Sequence, residues 1–193
     1  ADKNDAERPD ITYLRARLVD RSGDACAAMQ SFSMSTRHLP DVVREDIRIR
    51  FARNAARCGK CDRSVKAFDG LVDDDVALNK SDKVLYAECQ STLGAYEKAE
   101  PRLRALMTRS RRDSSQAGLR VVLANLLINT SRKEEAATVL REVLLRWPTH
   151  KDASKAEQIL KTIEPKFEFS VSDRFMRVDA FYSKRAYDAA LNE

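Results

Sequence analysis

Cysteine is the residue type here with the most distinctive chemistry, and two of the four stand three apart in Cys58-Gly-Lys-Cys61. That spacing lets two thiols share a metal ion or close a small-ring disulfide. A zinc site needs two more ligands, and Cys26 and Cys89, the remaining cysteines, each fall within a helical pattern rather than in a second paired knuckle. A thioredoxin-type pair needs a β-α-β context that the sequence lacks. No carboxylate pair, nucleophile with a base, or glycine-rich phosphate loop survives inspection. Asp73, Asp74 and Asp75 read as a solvated linker, and His38 and His150 sit beside proline-containing turns without a ligand pattern. The chain is expected to carry no catalytic site, no metal and no cofactor.

Arginine and asparagine supply the second recurrent chemistry. Arg17 with Arg21, Arg53 with Arg57, and Asn125 with Asn129 are pairs four residues apart. Each pair therefore lies on one face of a helix. Guanidinium forks suit carboxylates, and Asn amides can hold a peptide backbone. Together with Tyr13 these residues form a candidate ligand groove, in which the third pair of equivalent positions is Glu88 and Thr92. The bland alternative is that Arg21 and Arg57 favour the negative ends of their own helices, with Arg17 and Arg53 solvated nearby. The cluster Arg109, Arg111 and Arg112 reads the same way, as a helix terminus.

The elements that must position these residues are legible from Val121 to Pro148, which reads as two antiparallel helices joined at Asn129-Thr-Ser-Arg. Such a hairpin cannot bury its apolar faces alone and must stack on copies of itself. Measured from Ser131, a small residue lies seven before (Ala124) and five after (Ala136), a large apolar residue nine after (Leu140), and a proline seventeen after (Pro148). From Gly23 the same offsets give Ala16, Ala28, Phe32 and Pro40. Gly59 gives Ala52, Ser64 and Phe68, and Gly94 gives Ala87, Ala99 and Leu103. The turns are 36, 35 and 37 residues apart. Small residues let two helix backbones cross closely, and glycine tolerates the left-handed conformation that ends a helix.

In this spacing the chain resembles the tetratricopeptide family over about residues 9–148. The implied fold is all-α, a right-handed superhelical stack of antiparallel hairpins, read here as one domain over residues 1–193. Its repeats are expected at about 10–40, 41–77, 78–112 and 115–148, with an extra helix at 150–163 and a partial hairpin at 171–193, where Val178 and Ala190 take the small positions around Arg185. Ser81 is expected to cap a helix, and Pro101 to kink or delay one. Trp147 is expected to pack on the next hairpin, and Phe167 and Phe169 to lie in a short extended link. The stretches PTHKDASKAEQIL and RFMRVDAFYSKRAYDAALNE resemble the non-catalytic superhelical region of soluble lytic transglycosylases, periplasmic enzymes that cleave peptidoglycan. The catalytic signature of that family, a Glu-Ser pair followed by Gly-Leu-Met-Gln, is missing. The start without a methionine and the stop within a helical pattern suggest a piece of a longer protein.

Stacking also bears on the cysteines. The start of each second helix lies beside the end of the next hairpin's first helix, which puts Cys26 near Cys58 and Cys61 near Cys89. Two inter-repeat disulfides, Cys26–Cys58 and Cys61–Cys89, follow, and such bonds persist in oxidising compartments. Four reduced thiols in a cytosolic protein are the competing reading. A periplasmic or secreted location is favoured over the cytoplasm.

Composition bounds the partners. Charged residues make up 34% of the chain and the net charge is +5, interspersed rather than gathered into a basic stripe. Nucleic acid is not an expected partner, because the groove positions change from Arg to Glu to Asn and offer no regular code for RNA. No run is apolar enough to span a membrane. The expected partner is a protein or peptide, acidic or carboxylate-bearing. Peptidoglycan would be reached only through a catalytic domain outside this chain.

Overall fold

The computed structural model describes residues 8–34, 39–108 and 113–193, and among them it contains eleven helices and no strand. In order these are α1 (Pro9–Ser22), α2 (Ala25–Ser33), α3 (Asp41–Arg57), α4 (Cys61–Asp73), α5 (Lys80–Thr92), α6 (Tyr96–Ala105), α7 (Ser115–Asn129), α8 (Lys133–Arg146), α9 (Ala153–Ile163), α10 (Val171–Ser183) and α11 (Tyr187–Leu191). Contacts divide the chain into two compact units, Ala1–Ala99 and Glu100–Glu193.

Five turns share one backbone device. Gly23, Gly59, Gly94, Ser131 and Arg185 all adopt positive φ, between 59° and 88°. After Gly59, the Lys60 N–H reaches back to the Ala55 carbonyl at 2.8 Å, while the Gly59 N–H bonds the Ala56 carbonyl at 3.0 Å. This is the Schellman closure, which satisfies carbonyls that the end of a helix leaves open. The same pair of bonds closes the turns at Gly94, Ser131 and Arg185. At Gly23 only the bond from the turn residue itself forms, from its N–H to the Asp20 carbonyl at 3.3 Å, and Asp24 instead caps α2 by accepting from the Ala27 N–H at 2.9 Å. A further left-handed residue, Asp75, closes α4.

Burial follows the same offsets. Ala16, Ala52, Ala87 and Ala124 before the turns, Ala28, Ser64, Ala99 and Ala136 after them, and Phe32, Phe68, Leu103 and Leu140 beyond are all 0% exposed. The closeness that small side chains permit is visible where the Ser64 hydroxyl donates to the Ala52 carbonyl at 2.9 Å, helix to helix. In the fifth hairpin the equivalent Val178 and Ala190 are only half-buried.

In the first unit α1 to α5 pack in sequence. Ala16, Ala28, Phe32 and Ile47 form one cluster, and Ala52, Phe68, Leu71, Leu78 and Tyr86 form a second, with Phe68 and Tyr86 ring centroids 5.3 Å apart. In the second unit α7 packs on α8, α8 on α9 and α10, and α10 on α11. Nine of the fifteen α7 residues are buried. Residues 165–170, including Phe167 and Phe169, form no regular element, and their rings meet edge to face at 4.9 Å.

Some local expectations change. The cap of α5 is Asn79, whose side chain accepts from the Asp82 N–H at 2.9 Å, while Ser81 lies inside the helix. Asn outcompetes Ser here because it stands at the residue with extended backbone, where a cap must sit. Pro101 stays within α6, which ends at Ala105 rather than at Arg109. His38 and the cluster Arg109, Arg111 and Arg112 lie outside the described residues. No helix among the described residues is long and apolar enough to cross a membrane.

Candidate binding face on the first helices

The expected groove rests on the first helices of the hairpins, and in the first unit the structure places Tyr13, Arg17 and Arg21 on α1 and Arg53 and Arg57 on α3. Two of these have been taken into a polar ladder that ties α1, α3 and α5 together. The Tyr13 hydroxyl donates to Asp46 at 2.7 Å. Arg50 bonds Asp46 and Asp20, each at 2.7 Å, and the Asn54 amide also donates to Asp20, at 2.9 Å. Arg53 closes a two-pronged fork on Asp82 of α5, at 2.5 and 2.8 Å, and Asp82 is 1% exposed.

These bonds set the electrostatics. Burial alone would raise the Asp46 carboxyl, but donation from Tyr13 and Arg50 outweighs it and holds the group below the usual carboxylate range. Burial, reinforced by the Asp46 bond, pushes the Tyr13 phenol up. The Asp82 bond raises Arg53 against the effect of burial. A guanidinium committed in this way is a poor recruit for an outside carboxylate. Arg53, expected in the groove, holds two helices together instead.

The face still offers three cations. Arg17 lies 5.8 Å over the Tyr13 ring and reaches its hydroxyl at 3.4 Å. Arg21 and Arg57 are exposed in the last turns of α1 and α3, with no ion-pair partner among the described residues. Both also meet the negative end of their own helix, so the bland reading of their placement holds as well. On the second unit, Asn125 is half-buried and Asn129 is the exposed last residue of α7.

The cysteines pair as Cys26–Cys58, linking α2 to the end of α3, and Cys61–Cys89, linking α4 to α5. The Cα atoms stand 5.0 and 4.9 Å apart, within disulfide reach. Among the described residues no group of three metal-ligating side chains gathers.

Sequence reasoning missed Arg120. It is 2% exposed on the apolar helix α7, and it donates to Glu142, to the Gln116 side chain at 2.9 Å and to the Thr108 carbonyl at 3.1 Å. Its guanidinium lies 4.9 Å over Trp147, which is 3% exposed and so meets a side chain of its own hairpin. One charged residue inside the run from Leu119 to Leu127 was the available signal. The second unit also carries an open concavity of about 710 Å³, lined by Arg141, Pro165, Lys166, Phe167 and Ser170 among others. Arg141 is already paired with Glu164 and stacked 5.1 Å from Phe167. His150 accepts from the Asp152 N–H at 3.2 Å, a local turn contact ahead of α9.

Compared with known proteins, the sequence matches no protein-family model and no curated protein.

Proposed function

We propose that this chain is a non-catalytic, tetratricopeptide-like α-solenoid, a right-handed stack of antiparallel hairpins that serves as a scaffold for another protein or peptide. The observation that carries this reading is the recurrence of one left-handed turn at five places, with fully buried small and large residues at the same offsets around four of them. Repeats of this construction bury their cores against their neighbours and present a regular outer surface, which suits binding rather than chemistry.

The ligand face of this reading is the line of first helices in the first unit, with Arg17, Arg21 and Arg57 recruiting a carboxylate-bearing partner such as an acidic C-terminal peptide. The test is titration of the chain with an acidic peptide ending in a free carboxylate, followed by calorimetry. Replacing Arg17, Arg21 and Arg57 with Glu is expected to weaken binding at least ~100-fold, since three charges of roughly 1 kcal/mol each are reversed. Unchanged affinity would refute the face. Arg53 is left intact, because its loss would damage the scaffold itself.

The cysteine pairing supports placement in an oxidising compartment, the periplasm or the cell exterior. That setting favours a second reading, in which the chain is the superhelical arm of a periplasmic lytic transglycosylase of the kind its C-terminal residues resemble. Catalysis would then belong to residues outside these 193. The neighbouring coding sequence decides it. A downstream domain with a Glu-Ser pair and a Gly-Leu-Met-Gln run supports this reading, and an unrelated neighbour removes it.

A further inference from the structure

The two disulfides are unequally open to an attacking thiol. Cys26 is exposed and its partner Cys58 half-buried, whereas Cys61 is half-buried and its partner Cys89 only 2% exposed. The exposure of Cys26 belongs to its place in the hairpin, two residues before the small residue of the second helix. Asp62, Glu97 and Glu134 hold the same offset from Ser64, Ala99 and Ala136, and all three are exposed. Asp62 stays open although α2 packs on one side of its hairpin and α5 on the other. The offset is therefore open inside a stack and not only at its edge.

Thiol–disulfide exchange needs access to one sulfur and a tolerable site for the thiolate that leaves the other. Attack on Cys61 would expel charge onto buried Cys89, where a thiolate is disfavoured, and attack on Cys89 is blocked by the same burial. Attack on Cys26 meets neither obstacle. It expels Cys58, which is half-buried and stands in the chain between two exposed cations, Arg57 immediately before it and Lys60 two residues after. Positive charge close by favours a departing thiolate. Exposed disulfides are the ones that exchange readily, while shielded ones hold.

We infer that Cys26–Cys58 is an exchange site for small thiols, modified at Cys26, and that Cys61–Cys89 is a fixed cross-link. The thiolate of the attacking molecule bonds the Cys26 sulfur as the Cys26–Cys58 bond breaks, and Cys58 departs as a thiolate that takes a proton from water. A second thiolate attacks the attached sulfur of the small molecule, releasing Cys26 and a small-molecule disulfide. Two thiols are oxidised and one protein disulfide is reduced. Opening frees α2 from α3 and leaves α4 tied to α5, so the exchange loosens the first hairpin alone. This rests on the cysteine pairing and on neither the arginine face nor the scaffold reading.

The test is incubation of the oxidised wild-type chain with millimolar reduced glutathione at neutral pH, quenching with acid, alkylation, and mass mapping of each cysteine peptide. Cys26–Cys58 is expected to open at least ~10-fold faster than Cys61–Cys89, through a transient glutathione adduct on Cys26. Hydrogen exchange of the singly opened chain is expected to quicken in α1 and α2 and to stay unchanged in α4 and α5. Equal rates, Cys61–Cys89 opening first, or a Cys26–Cys58 bond that does not open overturns the proposal. An adduct confined to Cys58 overturns the assignment of the modified sulfur, and unaltered exchange in α1 and α2 overturns the loosening of the first hairpin.

Discussion

The two units solve the same packing problem with different materials. The first adds to its two apolar clusters a ladder of charged and polar side chains and two disulfides: Asp20, Asp46, Arg50, Arg53 and Asp82 form the ladder, and the cysteines pin α2 to α3 and α4 to α5. The second relies on aliphatic mass, with Leu119, Leu123, Leu126, Leu127, Leu140 and Leu144 all buried, and on one buried cation, Arg120. Their turns differ too. Within the hairpins Gly23, Gly59 and Gly94 serve the first, where only the Asp75 turn after α4 bears a side chain at positive φ among the described residues, while Ser131 and Arg185 do so at the hairpin turns of the second. A junction built from ion pairs fixes register by matching partners but gains little net free energy after desolvation. Cross-links add what such a junction lacks, by shrinking the unfolded ensemble.

The contrast breaks most visibly under reduction. Disulfides closing separations of 32 and 28 residues should each contribute about 3 to 4 kcal/mol in the chain-entropy model. The single tryptophan, Trp147, reports on the second unit alone. Urea unfolding with and without reductant should therefore shift the helical circular dichroism transition of the first unit and leave the Trp147 fluorescence transition in place. A matching shift in both signals means that the two units unfold as one.

Arg120→Ala strikes the second unit instead. It removes the Arg120 bonds to Glu142, Gln116 and the Thr108 carbonyl, leaving Glu142 only its contact with Arg146 and the Gln116 oxygen only the Thr108 N–H, and should cost about 2 to 4 kcal/mol by the Trp147 signal. Arg120→Met, which restores volume without charge, should recover part of that loss. A milder equivalent in the first unit is Asp82→Ala, expected to cost about 2 kcal/mol by stranding Arg53. Thermal melts of the two variants, each read on its own unit, sharpen the comparison.

The turns predict opposite signs in the two units. A Cβ added at Gly59 meets nothing within 4 Å, so Gly59→Ala carries only the left-handed strain, about 1 kcal/mol of destabilisation. Ser131→Gly should relieve strain of that order, less the entropy that glycine adds to the unfolded chain. Equal losses at both sites would show that the turn at Ser131 is held by its side chain rather than by backbone geometry.

The smallest effect is acid sensitivity of the ladder. The Asp46 carboxyl is held below its ordinary range, so its contribution is present above the unfolded value of about 3.9 and lost as pH falls through the folded one. Melting of the first unit should decline on acidification below about pH 4, and Asp46→Asn should flatten that limb. An unaltered limb would assign the acid response to other carboxylates.

Much of this was legible because it depends on local chemistry and period. Glycines at Gly23, Gly59 and Gly94 mark left-handed turns, since no other residue takes that backbone as readily. Alanines at fixed offsets mark helix crossings, and from them followed the helices and the cysteine partners, because the period alone places Cys26 near Cys58 and Cys61 near Cys89. Arg185, 54 residues past Ser131, could be located only by its offsets to Val178 and Ala190 and by allowing one inserted helix, as its residue type gives no hint.

What the sequence could not settle was the allocation of charge. Arg17, Arg53 and Arg57 look alike on a helix projection, yet Arg53 is clamped to Asp82 and Arg57 is exposed. The difference arises from a carboxylate 29 residues away that another helix brings within reach. Arg120 is hidden for the same reason, its burial made tolerable by acceptors from three separate segments. By itself the sequence determined the helices, the hairpin turns and the cysteine neighbours, all set by nearest-residue sterics and a spacing of 35 to 37 residues between the first four turns. Only the tertiary structure decided which cations are spent inside and which remain outside, because ion pairing depends on distances of a few ångströms between helices that no period specifies.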